Sequence, residues 1–172
     1  MNLKNKFMKV SASQFFKDIA ENVPVGEFEA IDLGQMYDDI KVPKRATKFS
    51  AGYDFYAPYD FELQPNETIK FPTGIRVSLE HDKFLALVPR SSLGFKYRTQ
   101  LDNTIGIIDS DYFYSDNEGH IWVKITNDSY RHNILKVKKG EAYMQGIILQ
   151  YCLTEDDDVE EVRNGGFGST NK

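Results

Sequence analysis

Two periodicities divide the chain. Near its start, "SASQFFKDIAENV" sets Phe15, Phe16, Ile19 and Val23 on one face at helical spacing. Ser11, followed three residues later by Gln14, resembles a capping box and marks where that helix begins. A second segment, "LGQMYDDI", repeats the pattern with Leu33, Met36, Tyr37 and Ile40, with Gly34 as its weak point. Residues 1–41 thus read as a helical N-terminal extension. Beyond Pro43 the period drops to two: "IRVSL" alternates Ile75, Val77 and Leu79 with polar positions, and "HIWVKIT" alternates Ile121, Val123 and Ile125 with Trp122 and Lys124. The apolar runs "FLALV" (84–88) and "GIILQYCL" (146–153) read as further short strands, separated by turns such as "QPNE". Many short strands in residues 42–158 point to a mainly β, sandwich-like or barrel-like domain.

With 172 residues, the chain has room for one domain with a hydrophobic core and appendages. A net charge of −5 and a pI of about 5.2 argue against a protein that coats nucleic acid. An anionic ligand must be met by a local cluster of Arg and Lys. One cysteine, Cys152, allows no internal disulfide and suits a reducing, cytoplasmic compartment; the residue itself reads as a small buried apolar side chain. No apolar run reaches membrane-spanning length and no secretory leader opens the chain. His81, His120 and His132 lack metal-ligand spacing and read as surface or edge residues. The acidic "EDDDVEE" reads as a solvated linker to residues 159–172, where Gly165, Gly166 and Gly168 surround Phe167. Such a glycine-rich arm loses much backbone entropy if it is ordered, and therefore reads as mobile until a ligand holds it.

Candidate chemistry lies in the loop-like stretches. "PRSSLGFK" combines Arg90, Ser91, Ser92 and Gly94 in one turn suited to an anion. "GIIDSDY" sets Asp109 and Asp111 two residues apart beside Tyr112, a spacing that puts both carboxylates on one face of a strand. In the tail, open glycine amides with Arg163, Ser169 and Thr170 form a phosphate cradle.

Taken in order, "SAGYDFYA", "PRSSLGFK", "NTIGIIDSDY", "GEAYMQGIIL" and "RNGGFGST" resemble the five motifs of the homotrimeric dUTPase family, over roughly Lys44 to Thr170. The resemblance implies a distorted β jelly roll assembled as a trimer, with three active sites built from several subunits. It implies hydrolysis of dUTP to dUMP and pyrophosphate with Mg2+, the ion being held mainly by the triphosphate and waters rather than by direct protein ligands. It assigns Asp109 to the attacking water and Tyr112 to the deoxyribose face, where the ring excludes a 2′-hydroxyl. Asn103 and Gly106 fall in a tight β-hairpin that reads uracil. Arg90, Ser91, Ser92 and Gln145 match phosphate contacts, with Asp54 as a supporting carboxylate behind them. Phe167 and Gly168 would cover the base while Arg163, Ser169 and Thr170 hold the γ-phosphate, which makes the tail a lid. The chain departs from the commoner pattern in Ser92 for a glycine, Ala142 for an arginine, Asn171 for a glycine, Arg163 one residue nearer Phe167, and a longer "FYSDNEG" after Tyr112.

Two rivals remain in view. A dCTP deaminase of the same superfamily needs a glutamate general base after a stretch like "GHIWV", and this chain has Lys124 there. A regulatory interaction protein would use the nucleotide site as a switch and dock a partner through the N-terminal extension or the segment after Tyr112.

Overall fold

Residues 4–22, 33–130 and 132–160 are described by the computed structural model. In chain order they form β1 (Lys6–Lys9), α1 (Ala12–Asn22), α2 (Leu33–Asp38), β2 (Lys44–Arg45), β3 (Tyr53–Tyr56), β4 (Phe61–Leu63), β5 (Thr68–Pro72), β6 (Ile75–Ser78) and β7 (Lys83–Pro89). There follow α3 (Ser91–Tyr97), β8 (Thr99–Leu101), β9 (Gly106–Asp109), a 3₁₀ helix (Ser110–Tyr114), β10 (Trp122–Asn127), β11 (Leu135–Val137) and β12 (Ala142–Gln150).

Alternation has the consequence expected of it. Val123 and Ile125 of β10 and Ile75 and Val77 of β6 turn inward, while Lys124 stays outside. The strands pair antiparallel in a five-stranded sheet, β2-β3-β12-β7-β9, a three-stranded sheet, β5-β10-β8, and two ribbons, β1-β6 and β4-β11. Central β7 has neighbours on both edges and buries three successive residues, Leu85, Ala86 and Leu87. Between the sheets lies one core containing Phe55, Phe71, Leu85, Ile125, Leu135 and Tyr143. The result is a mainly β, jelly-roll-like fold.

Val10, Phe15, Ile19, Met36 and Ile40 join that same core. α1 has 11 residues, below the length at which an isolated helix is stable in water. Burial of Phe15 and Ile19, at about 2 kcal/mol each, supplies what propensity does not. Val23 lies outside the described residues.

Several local expectations change. Ser11 Oγ does accept the Gln14 N–H at 3.1 Å, but the reciprocal half of the capping box is absent: the Ser11 N–H donates to Glu118 instead, and Gln14 donates to Asp18. Residues 6–9, inside the expected helical extension, are a strand on β6. β12 begins at Ala142 and ends at Gln150, because its partner β7 starts at Lys83, opposite Gln150. Cys152 therefore lies past the sheet and is exposed rather than buried. His120, expected near the surface, is fully buried.

Candidate active site

The chain turns between β8 and β9 at residues 102–105, with the Thr104 N–H donating to the Leu101 carbonyl at 2.8 Å and the Ile105 N–H to that of Asn103 at 2.7 Å. β8 pairs with β10 and β9 pairs with β7. This turn thus bridges two sheets, and the expected hairpin of two mutually paired strands is not formed. Beneath the bridge opens a cleft of about 660 Å³, and Asn103, Gly106, Asp109 and Tyr112 all line it, with Lys70, Asp102, Trp122 and Lys124 among their neighbours. Asn103 is exposed at the turn. Gly106 sits opposite Leu87, where an added Cβ would come within 3.1 Å of the Leu87 Cβ. A larger residue there would push β9 off β7.

Asp109 closes β9 in extended geometry and precedes the 3₁₀ helix without capping it through its side chain. Asp111 already lies in that helix. The two carboxylates therefore do not share a strand face: Asp109 lines the cleft, whereas Asp111 does not, and its Oδ1 is buried without a hydrogen-bond partner. The strand period ends at Asp109, and helical geometry sends the next side chains elsewhere.

Tyr112 is buried, and its position is set by the segment after it. The hydroxyl donates to the His120 carbonyl at 2.9 Å and receives the Asn117 side-chain amide at 2.9 Å. Gly119 carries a φ of 68°, and an added Cβ would sit 2.7 Å from the Tyr112 carbonyl oxygen. Only glycine allows the loop to close this tightly. At the cleft mouth Lys124 pairs with Asp102 at 2.6 Å, and the hydrogen bonds from Lys124 and then Thr126 hold the Asp102 carboxyl below its usual range. Lys70 lies over the Trp122 ring, 4.9 Å from its centre.

The other predicted residues form a second group at the end of β7 remote from Asp109. Arg90 follows β7 and is the N-cap of α3, so the expected turn at "RSSLGFK" is a short helix with Ser91 and Ser92 exposed at its start. The Arg90 N–H donates to the Tyr143 carbonyl at 3.2 Å, next to Gln145, whose amide donates to buried Asp54 at 3.0 Å. Asp109 is level with Phe84 on β7. Arg90 is six residues farther on, about 20 Å at the rise of a strand. Within one chain Asp109 and Arg90 do not converge. Arg163, Phe167, Gly168, Ser169 and Thr170 lie outside the described residues.

The sequence reading missed Asn117, His120, Lys70 and Trp122. The "NEG" turn at 117–119 is the one local signal for the first of these.

A family model described as dUTPase matches residues 38–171. The chain belongs to the dUTPase family. Its match takes in both groups of residues and begins after α1. Among similar members of the family, the deoxyuridine 5′-triphosphate nucleotidohydrolase of Neisseria meningitidis is 40% identical over 152 residues, covering 84% of this chain and 96% of that protein. The one from Lactococcus lactis is 36% identical over 134 residues, covering 76% and 88%. Among solved dUTPase structures, that from Streptococcus mutans superposes with a TM-score of 0.59 at 30% identity, covering 69% of this chain and 91% of that one. The dUTPase from phage phi11 of S. aureus reaches 0.62 over 92% and 97%, at 18% identity, and so speaks for the fold.

Proposed function

We propose that the protein hydrolyses dUTP to dUMP and pyrophosphate by attack of a water on the α-phosphorus. The observation that carries this is the cleft beneath the β8–β9 turn, which brings Asn103, Gly106, Asp109 and Tyr112 of one family motif to one wall. Backbone groups around Asn103 offer donors and acceptors to the edge of uracil, and the closeness of the turn discriminates against a C5 methyl. The Tyr112 ring packs against deoxyribose and leaves no space for a 2′-hydroxyl. Asp109 orients the water and accepts its proton, a role that needs placement more than an unusual acidity.

Among the described residues, no group of three or more His, Cys, Asp or Glu side chains is arranged to hold a metal ion. Mg2+ would be held mainly by the triphosphate and its waters, and when bound there it would neutralise phosphate oxygens. The chain's own part is to contact phosphate through Arg90, Ser91, Ser92 and Gln145, with Asp54 behind Gln145. In the tail, Arg163, Phe167, Gly168, Ser169 and Thr170 complete the set by their match to the last family motif.

The separation of about 20 Å along β7 between Asp109 and Arg90 supports a homotrimer, in which Asp109 of one subunit meets the phosphate-contacting group of another. A pI of about 5.2 and a single cysteine suit a cytoplasmic enzyme that acts on free nucleotides. Lys124, paired with Asp102 at 2.6 Å, stands where deamination would need a glutamate. No helix among the described residues is long and apolar enough to cross a membrane.

The test is pyrophosphate release across all the nucleoside triphosphates, with ammonia release from dCTP as the competing outcome. dUTP should be the preferred substrate, and Asp109→Asn should lower kcat by about 10²–10⁴-fold, the usual contribution of a positioned base. Activity within a few-fold of wild type in that variant would remove Asp109 from its role.

A further inference from the structure

We propose that α1 is a working part of the active site: Asp18 and Ser11 clamp the loop at residues 117–120, and that loop fixes the ring of Tyr112. The role given to Tyr112 rests on the dUTP assignment above; the clamp itself is a matter of geometry.

Tyr112 is anchored at its far end by this loop, through the His120 carbonyl and the Asn117 amide. The loop is not self-sufficient. Glu118 and Gly119 adopt successive left-handed conformations, φ 59° and 68°, and a non-glycine residue persists there only when its surroundings hold it. Glu118 is tied to Ser11, the residue before α1, and His120 to Asp18 within it. The Glu118 carboxylate accepts the Ser11 hydroxyl at 2.6 Å and the Ser11 N–H at 2.8 Å, and Arg76 approaches it at 3.8 Å. The His120 ring receives the Gly74 N–H on Nε2 at 2.8 Å. Nε2 is therefore the acceptor, which puts the ring proton on Nδ1, 2.5 Å from Asp18 Oδ2. Asp18 also takes the Gln14 amide at 2.9 Å. A carboxylate on the N-terminal helix thereby sets the rotation of a buried imidazole, and the backbone carbonyl of the same residue holds the Tyr112 hydroxyl. The same imidazole lies 6.0 Å, centre to centre, from the Trp122 ring in the cleft wall.

Asp18 is thus a positioning residue for substrate selection. Freed from it, the loop relaxes, the Tyr112 ring shifts, and space opens where a ribose 2′-hydroxyl would go. Asp18→Ala should lower the ratio of kcat/KM for dUTP over UTP by about tenfold, the scale of one steric misfit, chiefly through a lower KM for UTP. Asp18→Asn keeps an oxygen acceptor for Nδ1–H and should restore most of the ratio. A purely structural defect lowers both substrates alike and leaves the ratio unmoved.

Hydrogen exchange of the full-length protein is the companion measurement, independent of any substrate: amides of residues 110–121 should exchange faster in Asp18→Ala. Should Asp18→Ala not fold, Ser11→Ala loosens the Glu118 end and is read in the same way. An unchanged dUTP/UTP ratio overturns the proposal, whatever the exchange shows. If the wild type showed no preference for dUTP, the assignment above would fail instead; the clamp would then stand on quickened exchange and fall on unchanged exchange.

Discussion

Gln145 and Asp54 face each other across β12 and β3, and the Gln145 amide donates to the Asp54 Oδ1 at 3.0 Å. Asp54 is 5% exposed, so this carboxylate faces inward and holds one amide N–H, which orients the other.

Asp54→Ala should free the Gln145 amide to rotate and reduce kcat/KM for dUTP by about tenfold, the cost of losing one oriented contact. Asp54→Asn, which retains an acceptor, should lose less. Binding of dUMP should change little, because a monophosphate needs fewer of these contacts. Steady-state kinetics and calorimetry with dUMP check the pair of outcomes. An equal loss for dUMP and dUTP would show that Asp54 supports the sheet generally.

Acid should release the Asp18 clamp. Burial works against ionisation of Asp18, but the hydrogen bonds with His120 and Gln14, aided by the charge of Lys17, outweigh it, and the carboxyl titrates below the aspartate range. The Glu118 carboxyl is lowered too, chiefly by the Ser11 hydroxyl. A depressed folded-state value means that the contribution is fully present above the unfolded value, near pH 4, and is lost as pH falls through the lower folded value. Asp18→Asn should therefore melt below wild type at pH 7, with the gap narrowing toward pH 2.5. A gap in Tm that stays constant across that range would assign the whole effect to packing.

How far the sequence went depended on the range of the forces involved. Ile75, Val77, Val123 and Ile125 declared their strands because alternation is local and each had a face to bury. The ordered motifs likewise named Asn103, Gly106, Asp109 and Tyr112, which share one cleft. β1 was hidden in a region that reads as helical, and its four residues take their strand geometry from β6, nearly seventy residues away. His120 carried no signal of burial because the groups that satisfy its ring, Asp18 and the Gly74 N–H, are 102 and 46 positions distant. The half-used capping box at Ser11 fails for the same reason: Glu118, 107 residues on, takes the N–H that Gln14 would have satisfied locally. Asp111 was misplaced by a different error, extension of the strand period two residues past its end.

The tail offers the sharpest separation of folding from function. Deletion of Gly165 to Lys172 should leave the protein folded, weaken dUMP binding only modestly and abolish most turnover of dUTP. On the folding side, among the described residues no buried core residue lies beyond Met144 and Ile148 is the last apolar side chain packed against that core; the final described residues, 151–160, are exposed. Tm should therefore stay close to that of the full chain. On the functional side, Phe167, Ser169 and Thr170 match the last family motif, where an aromatic ring covers the base and hydroxyls meet the γ-phosphate. Fixing a residue of such a sequence costs roughly 1–2 kcal/mol in backbone entropy, which charge-assisted bonds to a triphosphate can offset and those to a monophosphate cannot. A non-hydrolysable dUTP analogue should consequently protect residues 161–172 from proteolysis, and dUMP should protect them poorly. Phe167→Trp would report the same event as a fluorescence change, read in a Trp122→Phe background. Turnover of dUTP by the truncated protein at the full rate, or equal protection with no nucleotide present, would leave the tail without a catalytic role and confine the chemistry to the cleft and the Arg90 group.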